Sequence, residues 1–401
     1  RGVRTRITDD LLWLPYTVSC WTEVWGLDGL LEEPVSYLRS PVLAKEELER
    51  YERPERSERF ESVYQHCTRA MECVLARGVG EHGLCRMGTG DWNDGMNHIG
   101  AQGWGESVWL TWFFGLVLER WGAVAGRCGD REAAERYQRL SKHFVQQAEG
   151  AWDGKWYLRG YDDQGKPFGS DGNAECALDS IAQSFAAFAP DSDPTHARQA
   201  VASALEQLWD RQAQTIALLT PPFHGLTDPG YIRNYPPGVR ENGGQYTHGA
   251  IWLAAACYRT GQEAEGHQLL LDLLPERHDS TRYLAEPYVL AGDVCTAYQQ
   301  EGRGGWSWYT GAAGWYYRVV QEELLGLTLR EGILTIRPHL PDSWNQCRVI
   351  WRVLDVELDI ELVRGSWAEM FLDDVPANDA IDCRQLEGKH HIRVVLGEGT
   401  N

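Results

Sequence analysis

From Asp9 to about residue 325 the apolar positions recur at three- and four-residue intervals, the period of helices that bury one face. Asp9 and Asp10 stand where caps belong, just ahead of the run LLWLPYTVSCWTEVW. Further helices are predicted over 58–75, 106–125, 131–150, 174–189, 196–209, 247–260, 263–274, 288–300 and 311–325. Glycine- and proline-rich segments join them, and three of these, 84–105, 220–246 and 300–310, are long. Long structured connections between regular helices are where sites usually lie. Past Leu325 the period changes to two. LGLTLREGILTIRP turns at Glu331-Gly332 and reads as a hairpin, 348–365 alternates over its length, and the tail contains HHIRVVLG. The expectation is a mainly α protein, with a helical domain over 1–325 and a β-rich module over 326–401. The even series of helices suggests an α/α toroid, in which alternate helices line the centre and their connections form a cleft.

The 401 residues are enough for a large core. Against 38 Lys and Arg stand 58 Asp and Glu, a formal charge of −20, which argues against nucleic acid or an anionic membrane as partner. Tryptophan (18) and tyrosine (17) outnumber phenylalanine (9), and aromatics with a polar handle suit half-wet surfaces such as carbohydrate clefts. Core packing also uses them. The ten cysteines contain no CxxC pair, and several lie in apolar helical runs, which fits reduced thiols in a cytoplasmic protein. No His, Cys, Asp and Glu set has ligand spacing, so no metal is expected. The apolar run from Val108 to Leu118 is too short to span a bilayer. Arg1 at the start fits a fragment or a processed chain.

The first long loop, MGTGDWNDGM over 87–96, sets Asp91 and Asp94 on either side of Trp92 and Asn93, between glycines. A flat aromatic face beside acids and an amide suits a sugar ring; an Asx-rich turn around a half-buried tryptophan is the other reading. The second loop supplies Tyr235, Arg240, Glu241, Gln245 and His248, pinned by Pro236-Pro237 and Gly243-Gly244. His248 enters a helix at its first turn, where backbone N–H groups favour an anion, although a capping histidine looks the same. In the third loop, Thr310 and Gly311 open a helix with a hydroxyl and backbone donors, a seat for phosphate or sulfate. Near the N-terminus Arg4 and Asp10 could bind sugar hydroxyls, or Asp10 could cap the helix that follows.

The segments GVRTRITDDLLWLPY, MGTGDWNDGMN, GESVWLTWF, LDSIAQSFA, YPPGVRENGGQYTH, EPYV and GWSWYTGAAGW follow one another in this order. Together they resemble glycoside hydrolase family 94, the inverting phosphorylases of cellobiose, chitobiose and 1,2-β-oligoglucans. Within it they are most similar to the phosphorylase-like C-terminal region of cyclic β-1,2-glucan synthases. The resemblance runs from residue 1 to about 340. It implies an (α/α)6 barrel followed by a small β module, and inorganic phosphate as co-substrate with no other cofactor. It gives Asp94 the role of general acid and places Trp92 under the sugar at the −1 subsite, with Arg4 and Asp10 as a pair on the same sugar. Tyr235, Arg240 and Glu241 correspond to residues around the cleaved bond, and His248, Thr310 and Gly311 to the phosphate-binding set. Asn93 and Gln245 are expected at the substrate, and Asp91 at sugar hydroxyls or in loop structure. The family's N-terminal β-sandwich, the first barrel helix and one phosphate-contacting arginine have no counterpart here, so the barrel is expected to lack its first helix.

The implied reaction is phosphorolysis of a β-linked gluco-oligosaccharide to α-glucose 1-phosphate. Asp94 is expected to be protonated in an apolar cleft beside Trp92. Two alternatives stay open: an inverting β-glucan hydrolase in which Glu241 serves Asp94 as base, and a non-catalytic sugar-binding part of a larger glucan synthase. The expected partners are the oligosaccharide, phosphate, and either a second copy of the chain or a larger synthase chain with a cytoplasmic part in a membrane-bound whole.

Overall fold

Ten α-helices form among the described residues, which are 2–27, 29–308 and 311–397 of this computed structural model. They are α1 (Trp13–Trp25), α2 (Val63–Arg77), α3 (Val108–Arg127), α4 (Arg131–Glu149), α5 (Ser180–Ala186), α6 (Pro194–Leu208), α7 (Thr247–Arg259), α8 (Glu263–Asp272), α9 (Ser280–Tyr283) and α10 (Ala312–Val319). The chain divides into two units. One runs to Trp315, apart from Cys20–Gly26, which joins the chain from Tyr316 onward in the second. The composition break near 325 therefore lies inside the second unit, whose first helical turns keep helical period.

In the first unit α3, α5 and α7 are buried on nearly every side. Their partners bury one face only. In α4 that face is Ala134, Tyr137, Ser141, Phe144, Val145 and Ala148, spaced by three and four. Consecutive helices pack as α3 on α4, α5 on α6 and α7 on α8, and α5 also touches α3 and α7. Gly115 permits the first pairing: a Cβ there would stand 2.9 Å from Val145 Cγ2. Between the buried helices runs an aromatic core. Trp109 meets Phe185 edge-on at 5.3 Å, Phe185 meets Trp252 at 4.9 Å, and Trp13 lies 4.5 Å from Phe113. Much of the tryptophan is thus packing.

Each buried helix follows a two-residue strand. Glu106–Ser107, Leu178–Asp179 and Gln245–Tyr246 precede α3, α5 and α7 and pair antiparallel with Gly160–Tyr161, Leu219–Thr220 and Asp293–Val294. Side chains cap two of these helices: Ser107 Oγ accepts the Leu110 N–H at 3.0 Å, and Asp179 Oδ1 accepts the Ile181 N–H at 3.0 Å. No side chain caps α7.

Three predicted helices differ. Residues 58–75 begin as the strand Glu55–Ser62, and α2 starts only at Val63, because ERSERFES has no apolar stripe and Ser62 with Gln65 forms a capping box. Residues 174–189 are helical only over Ser180–Ala186. Residues 288–300 form no helix. Their apolar stretch is the central strand Asp293–Val294, paired on one side with Gln245–Tyr246 and on the other with Gly304–Gly305; a short apolar run does not separate the two cases.

In the second unit, Leu327–Arg330 and Ile333–Ile336 make the predicted hairpin, with Glu331 and Gly332 both at positive φ (49° and 77°). Residues 348–365 are two strands, Gln346–Val353 and Val356–Arg364, reversed at Leu354. They belong to a five-stranded sheet with Gly388–Leu396, Glu369–Leu372 and Val375–Pro376. Leu358, Ile360, Leu362 and Ile392 point into its core with Leu327 and Leu334. Among the described residues no helix is long and apolar enough to cross a membrane. The ten cysteines are free thiols, six of them buried, with Cys73 and Cys128 exposed.

Candidate active site

The first and second long loops meet. Residues 87–97 turn through Gly88, whose φ is +72° and whose notional Cβ would fall 2.2 Å from the Arg6 carbonyl oxygen. The turn Asp94–Met96 packs against the turn Tyr231–Asn234. The Tyr231 N–H donates to Asn97 Oδ1 at 3.0 Å, and the His98 N–H to the Pro229 carbonyl at 3.0 Å. This clamp sets the two carboxylates of the first loop to different work.

Asp91 is fully buried and spent on structure. Arg159 Nη2 donates to its Oδ1 and Nη1 to its Oδ2, each at 2.7 Å; Ser107 Oγ donates to Oδ2 at 2.7 Å and the Asn93 N–H to Oδ1 at 3.0 Å. Of the two roles expected for Asp91, this is the loop role. Asp94 lies exposed instead of in the dry cleft expected for it, and its carboxylate accepts a hydrogen bond from the Tyr231 hydroxyl. Burial, and after it that contact, raise the Tyr231 pKa well above the ordinary phenol value.

Around Asp94 gather Tyr235, Glu241 and Tyr246, all within reach of its charge. Burial holds the Glu241 carboxyl above the usual carboxylate range; Asp94 and Asp293 add to this and Arg240 opposes it. Arg240 Nε stands 3.4 Å from Glu241 Oε2, and its guanidinium lies 5.1 Å from the Tyr235 ring and 4.3 Å from that of Trp306. Arg240 itself has φ +52°, and its backbone N–H donates to Asp293, whose carboxyl burial also raises. A residue other than glycine in that region is a mark of constraint near sites.

Trp92 is half-buried and stands edge-on to Tyr246 (5.3 Å) and His248 (5.4 Å), with Trp252 tilted behind at 5.0 Å. Burial lowers the His248 pKa to about 4, so the ring is neutral at pH 7. A notional Cβ on Gly311 would lie 3.6 Å from His248 Cε1, which brings those two together; Thr310 lies outside the described residues. Buried side-chain atoms without a hydrogen-bond partner collect here: Asp293 Oδ1, Thr247 Oγ1, His248 Nε2 and both polar atoms of Asn93. Polar groups left dry and unpaired cost about 1–3 kcal/mol each, and their concentration in one place is what a polar ligand site requires.

Two expected contributors are elsewhere. Gln245 is buried and its Oε1 accepts the Ile216 N–H at 3.0 Å, so its amide secures neighbouring backbone and does not face the cleft. The Arg4–Asp10 pair does not form. Arg4 is on the strand Gly2–Arg4, where Nε donates to Ser40 Oγ at 2.8 Å and lies 3.9 Å from Glu52, while Asp10 accepts from the Thr5 hydroxyl. Conversely, Tyr231, Tyr246, Trp252 and Asp293 join the site without having stood out in the sequence. Tyr231 precedes the proline-pinned motif by four residues, and Asp293 lay in a stretch assigned to a helix. Among the described residues no group of three or more His, Cys, Asp or Glu could hold a metal.

Residues 2–326 match the glycosyl hydrolase 94 superfamily, catalytic domain. The chain is 40% identical over 352 residues to the cyclic beta-(1,2)-glucan synthase NdvB of Rhizobium meliloti, which covers 86% of this chain and 12% of that protein. To the solabiose phosphorylase of Paenibacillus borealis it is 27% identical over 345 residues, 85% of this chain and 42% of the relative. To an N,N'-diacetylchitobiose phosphorylase of Vibrio furnissii it is 24% identical over 408 residues, 99% of this chain and 48% of the relative. The chain thus spans less than half the length of each of these relatives. It belongs to the glycosyl hydrolase 94 superfamily, whose catalytic domain takes up residues 2–326.

Proposed function

We propose that the chain catalyses inverting phosphorolysis of a β-linked gluco-oligosaccharide, with β-1,2-linked chains favoured, to give α-glucose 1-phosphate. The observation that carries this reading is the asymmetry of the two loop carboxylates: Asp91 is locked to Arg159, and Asp94 is left exposed beside Tyr231 and Glu241. A sugar ring on Trp92 would cover Asp94 and remove it from water. Asp94 then gives its proton to the glycosidic oxygen while a phosphate oxygen attacks C1 from the opposite face. The bond to the leaving sugar breaks as the bond to phosphate forms, and Asp94 is left as a carboxylate. Phosphate is an anionic nucleophile already, so no second carboxylate is required to activate it.

The phosphate seat is proposed at the start of α7, uncapped by any side chain, with Thr247 Oγ1 and His248 Nε2 buried and unpaired. Neutral His248 serves there as a hydrogen-bond donor, not as a cation. Glu241 as the base of a hydrolase is the competing reading; phosphate needs no base, which leaves Glu241 beside Arg240 at the cleaved bond. The pairs α3–α4, α5–α6 and α7–α8 are read as part of an (α/α)6 barrel, and the chain as the phosphorolytic part of a larger cytoplasmic or membrane-attached synthase; the 40% identity to NdvB supports that attachment. The test compares Asp94→Asn with Glu241→Gln on a β-1,2-glucobiose plus phosphate. Asp94→Asn should lower kcat by about 10²–10⁴-fold. Full activity in Asp94→Asn, or equal loss of phosphate-independent hydrolysis in both variants, would overturn the assignment.

A further inference from the structure

One fully buried cation touches none of the groups assigned to the reaction. Arg159 has no solvent-exposed side-chain surface. Its guanidinium grips Asp91 with both Nη atoms, reaches Ser107 Oγ with Nη1 at 3.1 Å, and donates from Nε to Asp179 Oδ2 at 3.1 Å. Its backbone is used as well: the Arg159 carbonyl accepts the Val108 N–H at 3.1 Å, and its N–H donates to the Phe168 carbonyl at 2.9 Å. The partners are not arbitrary. Ser107 caps α3 and Asp179 caps α5, while Asp91 carries the acid loop and holds the Asn93 N–H directly before Asp94. One planar fork therefore fixes the loop relative to the starts of two buried helices.

Electrostatics makes the arrangement demanding. Two buried carboxylates share a single cation, and burial followed by the charge of Asp91 pushes the nearby buried Asp9 carboxyl well above its ordinary pKa. Such a group is costly to desolvate and a poor choice for stability alone. What it gives is a unique geometry, with every N–H of the fork that reaches Asp91 committed to a named oxygen.

Resting on the phosphorolytic reading of Asp94, we propose that Arg159 is a positioning residue: through Asp91 it holds Asp94 at the distance from the glycosidic oxygen at which proton transfer accompanies bond breaking. Loss of the Arg159–Asp91 link lowers the rate in proportion to how much the leaving group needs a proton. A donor whose leaving group departs unaided loses little.

The test uses the whole protein and the variants Asp91→Asn, which keeps the shape and loses the charge, and Arg159→Lys, which keeps the charge and loses the fork. Phosphorolysis is measured on β-glucosides whose leaving groups run from a sugar hydroxyl to dinitrophenol. Amide hydrogen exchange is followed over 87–98, with α4 as the internal reference. The expected result for Asp91→Asn is a loss of about 30–100-fold on the disaccharide and less than about 3-fold on the dinitrophenyl glucoside, set by the size of general-acid assistance. Exchange should quicken over 87–98 and stay unchanged in α4, with Arg159→Lys no better than Asp91→Asn. Equal losses across the leaving-group series, or faster exchange in α4 to the same degree, would overturn the proposal and leave Arg159 a stabilising residue only. Asp94→Asn is the control: if it too shows no leaving-group dependence, the acid assignment falls before the positioning role is reached. Should Arg159→Lys fail to fold, Asp91→Asn decides alone.

Discussion

Burial is the single cause that lowers His248 from an ordinary imidazole pKa of 6.5 to about 4, and the rings of Trp92, Trp252 and Trp315 surround it. The unfolded chain therefore takes up the proton first. Above pH 6.5 both states carry a neutral ring and stability is unaffected. Between 6.5 and about 4 the unfolded state is protonated and the folded state is not, so stability falls as the pH falls, at up to about 1.36 kcal/mol per unit. Below about 4 both states are protonated and the loss levels off. A gap of about 2.5 units integrates to about 3 kcal/mol, of which about 2.5 kcal/mol has accrued by pH 4.5. His248→Asn removes this titration and leaves the rest of the acid response in place. Urea unfolding of the parent and the variant between pH 4.5 and 7.5 isolates it as a difference. The expected result is a variant that gains about 2–3 kcal/mol on the parent as the pH is lowered across that range. A difference that stays constant with pH would mean that His248 titrates normally when folded, and the account of it as a neutral donor to phosphate would fail.

Other outcomes follow from packing and from the hydrogen bond on the acid. Trp252→Ala removes the ring between Phe185 and Trp92 and should cost about 3–5 kcal/mol in urea unfolding. Tyr231→Phe removes the hydroxyl that donates to Asp94; a bond to a charged group contributes about 1.5–3 kcal/mol, so kcat should fall by about 10-fold or more with KM nearly unchanged, measured at saturating phosphate. Leu358→Ala empties a fully buried position in the second unit and should cost about 2–5 kcal/mol, read by the loss of its sheet signal in circular dichroism against urea.

What could be read from the chain beforehand was whatever local chemistry decides. The unbroken apolar run at Val108–Leu118 could only be a buried helix or a membrane segment, and its length settled which. Glu331-Gly332 between two alternating stretches is a turn in any context. The roles of Asp91 and Asp94 were a different matter: they are three residues apart in the same loop, and nothing local distinguishes them. The distinction comes from Arg159, 68 positions from Asp91 in the chain. Arg159 itself sits in LRG, where an arginine is expected to face water. Gln245 misled for a related reason, since a polar side chain in a motif was taken to serve a ligand when it serves the Ile216 backbone. Arg4 and Asp10 are separated because strand pairing with Arg50–Glu52 turns Arg4 toward Glu52. Residues 288–300 depended on two strands distant in sequence, which periodicity does not register.

The central claim is that phosphate, not water, attacks the sugar. It is tested most directly by incubating the whole protein with β-1,2-, β-1,3- and β-1,4-linked glucobioses with and without inorganic phosphate, and following glucose, glucose 1-phosphate and its anomeric configuration by NMR. The account predicts α-glucose 1-phosphate from at least one linkage, only when phosphate is present. Free glucose appearing as both sugar products at the same rate without phosphate would contradict it.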